Sequence, residues 1–203
     1  MARTRGKLAH REIQRLETRE RVFDAAIAEF KRDGAADADI GSISTAAGIA
    51  RGTFYFHFPT KDHVLVELMR REELNIAEEL TGELESATDV RTGLQLLVDR
   101  LTADEHRLGS ILFRDLITIY LTSPELQVTD AAAHPVAVLV VDLITAALDR
   151  KEVHSDVTPM NSAKFFLLGL YALFITNRKA SPARRRLIDE YITSFCRGLT
   201  PLP

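Results

Sequence analysis

Cysteine is almost absent from the 203-residue chain, and Cys196 stands alone. A single thiol excludes an intrachain disulfide and any multi-cysteine metal site. Set in an apolar pattern near the C-terminus, it reads as core filler rather than nucleophile. Acidic and histidine residues show no metal-ligand spacing, and His106 and His134 read as solvated or capping groups. Long apolar runs are lacking as well. AVLVVDLITAAL (137–148) and FFLLGLYALFI (165–175) are too short or too interrupted to span a bilayer. The N-terminal MARTRGKLAHREIQR has no apolar stretch of a secretory signal. The expectation is a cytoplasmic protein without membrane segment, metal or cofactor. A nucleophile–base pair and a glycine-rich phosphate loop are missing too, so nothing supports catalysis. Charge of one sign is not in excess either, with 26 Lys and Arg against 29 Asp and Glu.

The distribution of charge says more than its sum. Residues 1–63 carry 11 basic and 9 acidic side chains, a net of +2, whereas 64–203 carry 15 and 20, a net of -5. A mildly basic head on an acidic body hints at a polyanion partner at the N-terminal end. Hairpin signals and repeats are lacking, and nearly every periodic segment reads as helix. Val22, Phe23, Ala26, Ile27 and Phe30 recur at helical spacing, and Gly34 is a natural stop. Two short helices follow, over 39–48 and 51–57. Asp39 caps the first, and Pro59 ends the second. Thr60 caps a long helix from about Asp62 to 85. Further helices are predicted near 90–102, 105–122, 134–150, 159–178 and 182–198. Residues 1–14 read as an unpatterned basic arm, either a solvated tail or a segment that follows DNA.

Residues 39–58 make a helix-turn-helix, turning at Ala47-Gly48-Ile49-Ala50. In RGTFYFHFPTK (51–61), Phe54 and Phe58 can face the core, which leaves an outer face of Arg51, Gly52, Thr53, Tyr55, Phe56 and His57. Basic, hydroxylated and aromatic groups are what base edges, phosphates and thymine methyls require. The stretch AGIARGTFYFHFPTKDHVL, from Ala47 to Leu65, closely resembles the tetracycline-repressor (TetR) family pattern AGVSKGTLYxHFxxKExL. Gly48, Gly52, Thr53, Tyr55, His57, Phe58, Lys61 and Leu65 fall on it. The resemblance is convincing over residues 20–70. Beyond that, it rests on length and helical character.

The resemblance implies an all-α chain with a DNA-binding domain at 15–63 and an effector-binding and dimerisation domain at 64–203. It implies that Arg51, Gly52 and Thr53 lead toward base edges and nearby phosphate. Tyr55 and His57 would contact the sugar-phosphate backbone, and Lys61, Gly41 and Ser42 further phosphates. Phe54 could also graze a thymine methyl. Phe56 would either touch a methyl or sugar or pack on the next helix. Asp39 and Gly41 depart from the pattern, which commonly has Thr and a polar or basic residue there. An aspartate cap stabilises the helix but repels phosphate. Ser44 replaces a usual Ala.

In the C-terminal part, 165–175 is apolar on nearly every side, and Leu187, Ile188, Tyr191, Ile192, Phe195 and Leu199 form a stripe beside Arg184, Arg185 and Arg186. The simplest account packs the last two helices on their copies across a two-fold axis. Phe165, Gly169, Leu187, Ile188, Tyr191, Ile192 and Phe195 would form that interface, with Gly169 permitting close approach. Two recognition helices would then reach successive major grooves about 34–36 Å apart on a near-palindromic site. Candidates for a pocket around a small-molecule effector are Met69, Phe113, Ile117, Tyr120, Val140, Phe166 and Phe174. Arg114, in the charged pair Arg114-Asp115, is either an anchor for a polar group or part of a salt bridge. The function this supports is a ligand-responsive transcriptional regulator, a repressor released from its operator. The alternative is a helical small-molecule-binding protein or enzyme with an incidental helix-turn-helix.

Overall fold

Helix periodicity dominates the sequence, and the computed structural model follows it closely. It describes residues 2–123, 134–177 and 181–200, with side chains from His10 onward. Among the described residues there are nine helices and no strand: α1 (Ala2–Asp33), α2 (Ile40–Ala46), α3 (Arg51–His57), α4 (Lys61–Glu85), α5 (Val90–Leu108), α6 (Ser110–Thr122), α7 (Pro135–Asp149), α8 (Pro159–Thr176) and α9 (Pro182–Leu199). None is long and apolar enough to cross a membrane. The chain divides into two units, 1–67 and 68–203, so the boundary falls inside α4 rather than at 63.

In the first unit, α1 buries Val22, Phe23, Ala26 and Phe30. Helix α1 packs on α2 and α3, and Ile43, Ala47, Phe54 and Phe58 are buried in the same unit, as are Val64 and Leu65 at the start of α4. The Phe58 ring lies 6.3 Å from both Phe23 and Phe54. Burying each such ring stabilises the unit by about 1.5–3 kcal/mol. Gly34 stops α1 at a φ of 83°, and Gly48 makes the turn between α2 and α3 at 66°, a region that L side chains rarely adopt. Arg19 ties α1 to α4. Its guanidinium donates to both Glu67 oxygens at 3.2 and 3.1 Å and lies 4.5 Å from the Phe58 ring centre.

In the second unit, α7 and α8 pack along each other, α5 touches α6, α7 and α9, and α8 touches α6 and α9. Gly93 lets α5 approach α7 closely, since a methyl there would stand 2.5 Å from Leu143 Cδ1. Arg184 of α9 donates to both Glu105 oxygens of α5 at 2.9 and 2.6 Å. It also covers the Phe174 ring at 4.7 Å. Arg184 is therefore buried and does not belong to a solvated basic patch with Arg185 and Arg186.

Three boundaries differ from the sequence reading. Helix α1 runs on through 2–14, where no apolar period is legible. Helix α5 continues to Leu108, because Asp104 and Glu105 are buried acids with arginine partners rather than a solvated start of α6. The break comes at Gly109, whose φ of 86° no helix accommodates.

Candidate nucleic-acid interface and effector cavity

Helix α3 has only seven residues, so its faces are easily sorted. Phe54 is fully buried, whereas Arg51, Gly52, Tyr55 and Phe56 are exposed and Thr53 and His57 half-buried. Phe56, 72% exposed, is the most solvent-accessible large apolar side chain among the described residues. Its ring stands edge-on to His57 at 5.2 Å and is not covered by the following helix. Tyr55 sets its ring edge-on to Phe54 at 5.5 Å, which anchors the base of the side chain and leaves the phenol outside. His57 Nδ1 is enclosed without a hydrogen-bond partner among the described residues. Burial, and then the nearby charges of Arg15 and Arg19, hold this imidazole below its ordinary pKa.

The N-terminus of α2 is already engaged. Asp39 Oδ2 accepts from the Ser42 amide at 2.9 Å and from the Ser42 hydroxyl at 3.2 Å. The backbone amides of Ser42 and Gly41 hold the Asp39 carboxyl below its usual range, with a smaller effect from Arg51. Gly41 is explained by the same cap, because a Cβ there would lie 2.8 Å from Asp39 Oδ2. The two departures from the family pattern are thus one coupled arrangement. Buried Ser44 is satisfied by donating to the Ile40 carbonyl at 2.7 Å.

Lys61 has a role the sequence did not reveal. Its ammonium donates to the carbonyl oxygens of Ala36 and Ala38 at 2.7 and 3.1 Å. Two of three donors therefore hold the α1–α2 connection, and one remains. The Thr60 hydroxyl sits 2.9 Å from His63 Nδ1 in the first turn of α4. In the basic N-terminal stretch, Arg15 pairs with Glu12 at 2.6 Å and Arg19 is turned inward to Glu67.

The second unit encloses a cavity of about 30 Å³ between α4, α5, α6, α7 and α8. Met69, Phe113 and Ile117 line it as expected, joined by Tyr171, Glu72, Glu73 and Asp104. Tyr120 is one ring removed, 5.1 Å from Tyr171. Val140, Arg114, Phe166 and Phe174 do not line it. Phe174 packs on Phe113 from behind at 5.3 Å, while Phe166 stacks on Tyr191 and Phe195 of α9. Larger clefts of about 470 and 610 Å³ open at the surface beside α9.

Sequence reading missed the acids of this cavity. The helical period over 62–85 is legible from its apolar residues alone, yet Glu72 and Glu73 are buried as well. The signal was present in the stripe Met69, Glu73, Ile76 and Leu80, whose helical spacing places a glutamate among apolar neighbours. His134 is also buried, contrary to a solvated assignment. It occupies the N-cap position of α7, and its Nδ1 lies 3.2 Å from Glu73 Oε2. Burial and the Glu73 charge raise the pKa of Tyr120, and burial, Tyr120 and Glu73 raise that of Tyr171. No group of three or more metal-ligating side chains occurs among the described residues.

The expected two-fold face divides in two. Phe165, Leu168 and Leu187 are exposed. Ile188 and Ile192 are buried inside the unit, and Tyr191 and Phe195 are half-buried. The Tyr191 hydroxyl donates to the Phe166 carbonyl at 2.7 Å and reaches that of Phe165 at 3.2 Å. Gly169 makes room for that hydroxyl, so its close approach is between α8 and α9 of one chain.

Residues 22–68 match the family model for bacterial regulatory proteins of the tetR family. The HTH-type transcriptional regulator AcrR of Shigella flexneri is 37% identical over 62 residues, 30% of this chain and 29% of AcrR. The chain thus matches under a third of that relative's length. Similarity in three dimensions extends further. Thermus thermophilus FadR, a TetR-family transcriptional repressor solved with lauroyl-CoA, superposes with a TM-score of 0.69 over 88% of this chain and 91% of that one, at 20% identity. FadR from Bacillus subtilis, solved with stearoyl-CoA, gives 0.67 over 89% and 98%, at 16% identity. Residues 22–68 thus match the tetR-family model, and the nine helices of the described residues share the fold of these solved regulators.

Proposed function

We propose that the chain is a DNA-binding transcriptional regulator, a repressor that a small molecule releases from its operator. The observation that carries this reading is the outer face of α3. Arg51, Tyr55 and Phe56 stand exposed on a helix whose opposite side is locked by Phe54. Arg51 offers a bidentate donor to a guanine edge, Phe56 an apolar surface for a thymine methyl, and Thr53 a hydroxyl for either. Tyr55 and His57 reach the sugar-phosphate backbone and fix orientation. Lys61 steadies the α1–α2 connection with two donors and offers its third to a phosphate. Gly41 and Ser42 approach DNA past the Asp39 carboxylate, which makes that end of the motif the weaker contact.

The regulator acts as a homodimer. The exposed apolar side chains of α8 and α9, Phe165 (66% exposed), Leu168 and Leu187, suit a second copy. Ile188, Tyr191, Ile192, Phe195 and Gly169 stiffen the helices that present them. The effector cavity supplies the switch. Helix α4 lines it with Met69, Glu72, Glu73 and Ile76 and begins at Lys61. A ligand that widens the cavity displaces α4, and the displacement reaches Lys61 and alters how the two recognition helices are spaced. Release requires the ligand to prefer the widened state.

Selection of bound fragments from the protein's own genome tests the reading. A small set of near-palindromic fragments should be retained, with affinity falling steeply as salt rises. Retention of no fragment, or salt-independent retention, would sink it.

A further inference from the structure

The enclosed cavity of the second unit carries more chemistry than an apolar pocket needs. Its lining holds three carboxylates, Glu72, Glu73 and Asp104, and no lysine or arginine. Two of the three are neutralised from outside the lining. Arg107 bonds Glu72 and Asp104, and Arg100 bonds Asp104. Glu73 differs. It is 2% exposed, and the charged group paired with it among the described residues is the His134 ring, a cation only when protonated. Its second oxygen, Oε1, is buried without a hydrogen-bond partner among the described residues, as is Asp104 Oδ2. A buried acceptor without a donor is costly, and more so when charged. Such a cost persists where another molecule supplies the donor. The same lining holds the aromatic side chains Tyr171 and Phe113, with Met69 and Ile117. A lining that combines carboxylates with aromatic rings suits an ammonium group. It would repel an anion.

We propose that this cavity receives an effector with an apolar body and a cationic, hydrogen-bond-donating head, which Glu73 Oε1 accepts. The inference rests on the regulator reading above and names the chemical class of its effector. At about 30 Å³ the cavity has room only for water-sized occupants. A larger guest therefore widens it and pushes on α4 through Glu73 itself.

The test uses three probes of one length on the full chain: octylammonium, octanol and octanoate, each titrated by calorimetry. Octylammonium should bind at least ~10-fold more tightly than octanol, with octanoate weakest, because a charge-assisted hydrogen bond replaces an unmet one. Glu73→Gln should abolish the preference for the ammonium, because the amide oxygen still accepts a hydrogen bond but carries no charge. Octanol or octanoate binding as tightly as octylammonium overturns the proposal. So does failure of all three to bind, or survival of the ammonium preference in Glu73→Gln. The comparison among probes on the unmodified chain stands even if the variant folds poorly. Calorimetry involves no DNA, so the two readings fail separately. Ammonium-selective binding by a chain that retains no operator sinks the regulator alone, and operator release by octanoate without ammonium binding sinks this inference alone.

Discussion

Asp39 and Gly41 show how a pair of residues trades one contact for another. The carboxylate satisfies the Ser42 amide and hydroxyl at the start of α2, and glycine at 41 leaves room for it. The same charge opposes any phosphate arriving at that helix end. Asparagine caps a helix about as well as aspartate and carries no charge. Asp39→Asn should therefore keep the melting temperature within a few degrees and tighten operator binding several-fold at low salt, an effect that fades as salt is raised. Fluorescence anisotropy across a salt series would check this, and weaker binding by the variant would contradict it. Which motif residues face outward was legible from sequence because each has a fixed spacing to the buried Phe54 and Phe58. The Lys61 bonds to Ala36 and Ala38 were not. They depend on where a connecting segment passes in space, which spacing does not encode.

At the scale of elements, short-range rules carried most of the fold. Capping residues and prolines located α2, α3, α8 and α9 to within one or two residues. What the period could not say is which neighbour a face meets. The stripe on α9 reads as one surface, yet Ile188 and Ile192 are buried within the unit while Leu187 is exposed. Gly169 belongs to the same ambiguity, since a small residue permits close approach to any helix. Here the helix is α9 of its own chain, through Tyr191. Gly169→Ala should force the Tyr191 hydroxyl off the Phe165 and Phe166 carbonyls, at a cost of about 1–3 kcal/mol from overpacking. Thermal or denaturant unfolding should show that loss. A Tyr191→Phe background, which removes the hydroxyl, should absorb much of it. An unchanged midpoint in Gly169→Ala would mean that α8 and α9 do not approach as described.

For the molecule as a whole, the sequence conveyed the N-terminal function far better than the C-terminal chemistry. The face proposed to touch DNA is short, local and periodic, so eleven consecutive residues, 51–61, display it. The proposed effector cavity is assembled from residues far apart in the chain, and Glu73, Asp104, His134 and Tyr171 come together only in the fold. Charge misled the reading of Arg184 as part of a basic patch, because a buried ion is recognisable only once its partner is known. The central claim remains that α3 reads operator DNA with the face opposite Phe54. The most direct measurement compares the unmodified chain with Arg51→Ala/Tyr55→Ala on one selected operator fragment, by anisotropy over a salt series. Both side chains are exposed, so the variant should fold normally by circular dichroism. Its affinity should fall by at least ~100-fold, with a shallower salt slope and reduced discrimination against a scrambled fragment. Equal affinity and an equal salt slope for the two proteins would contradict the account.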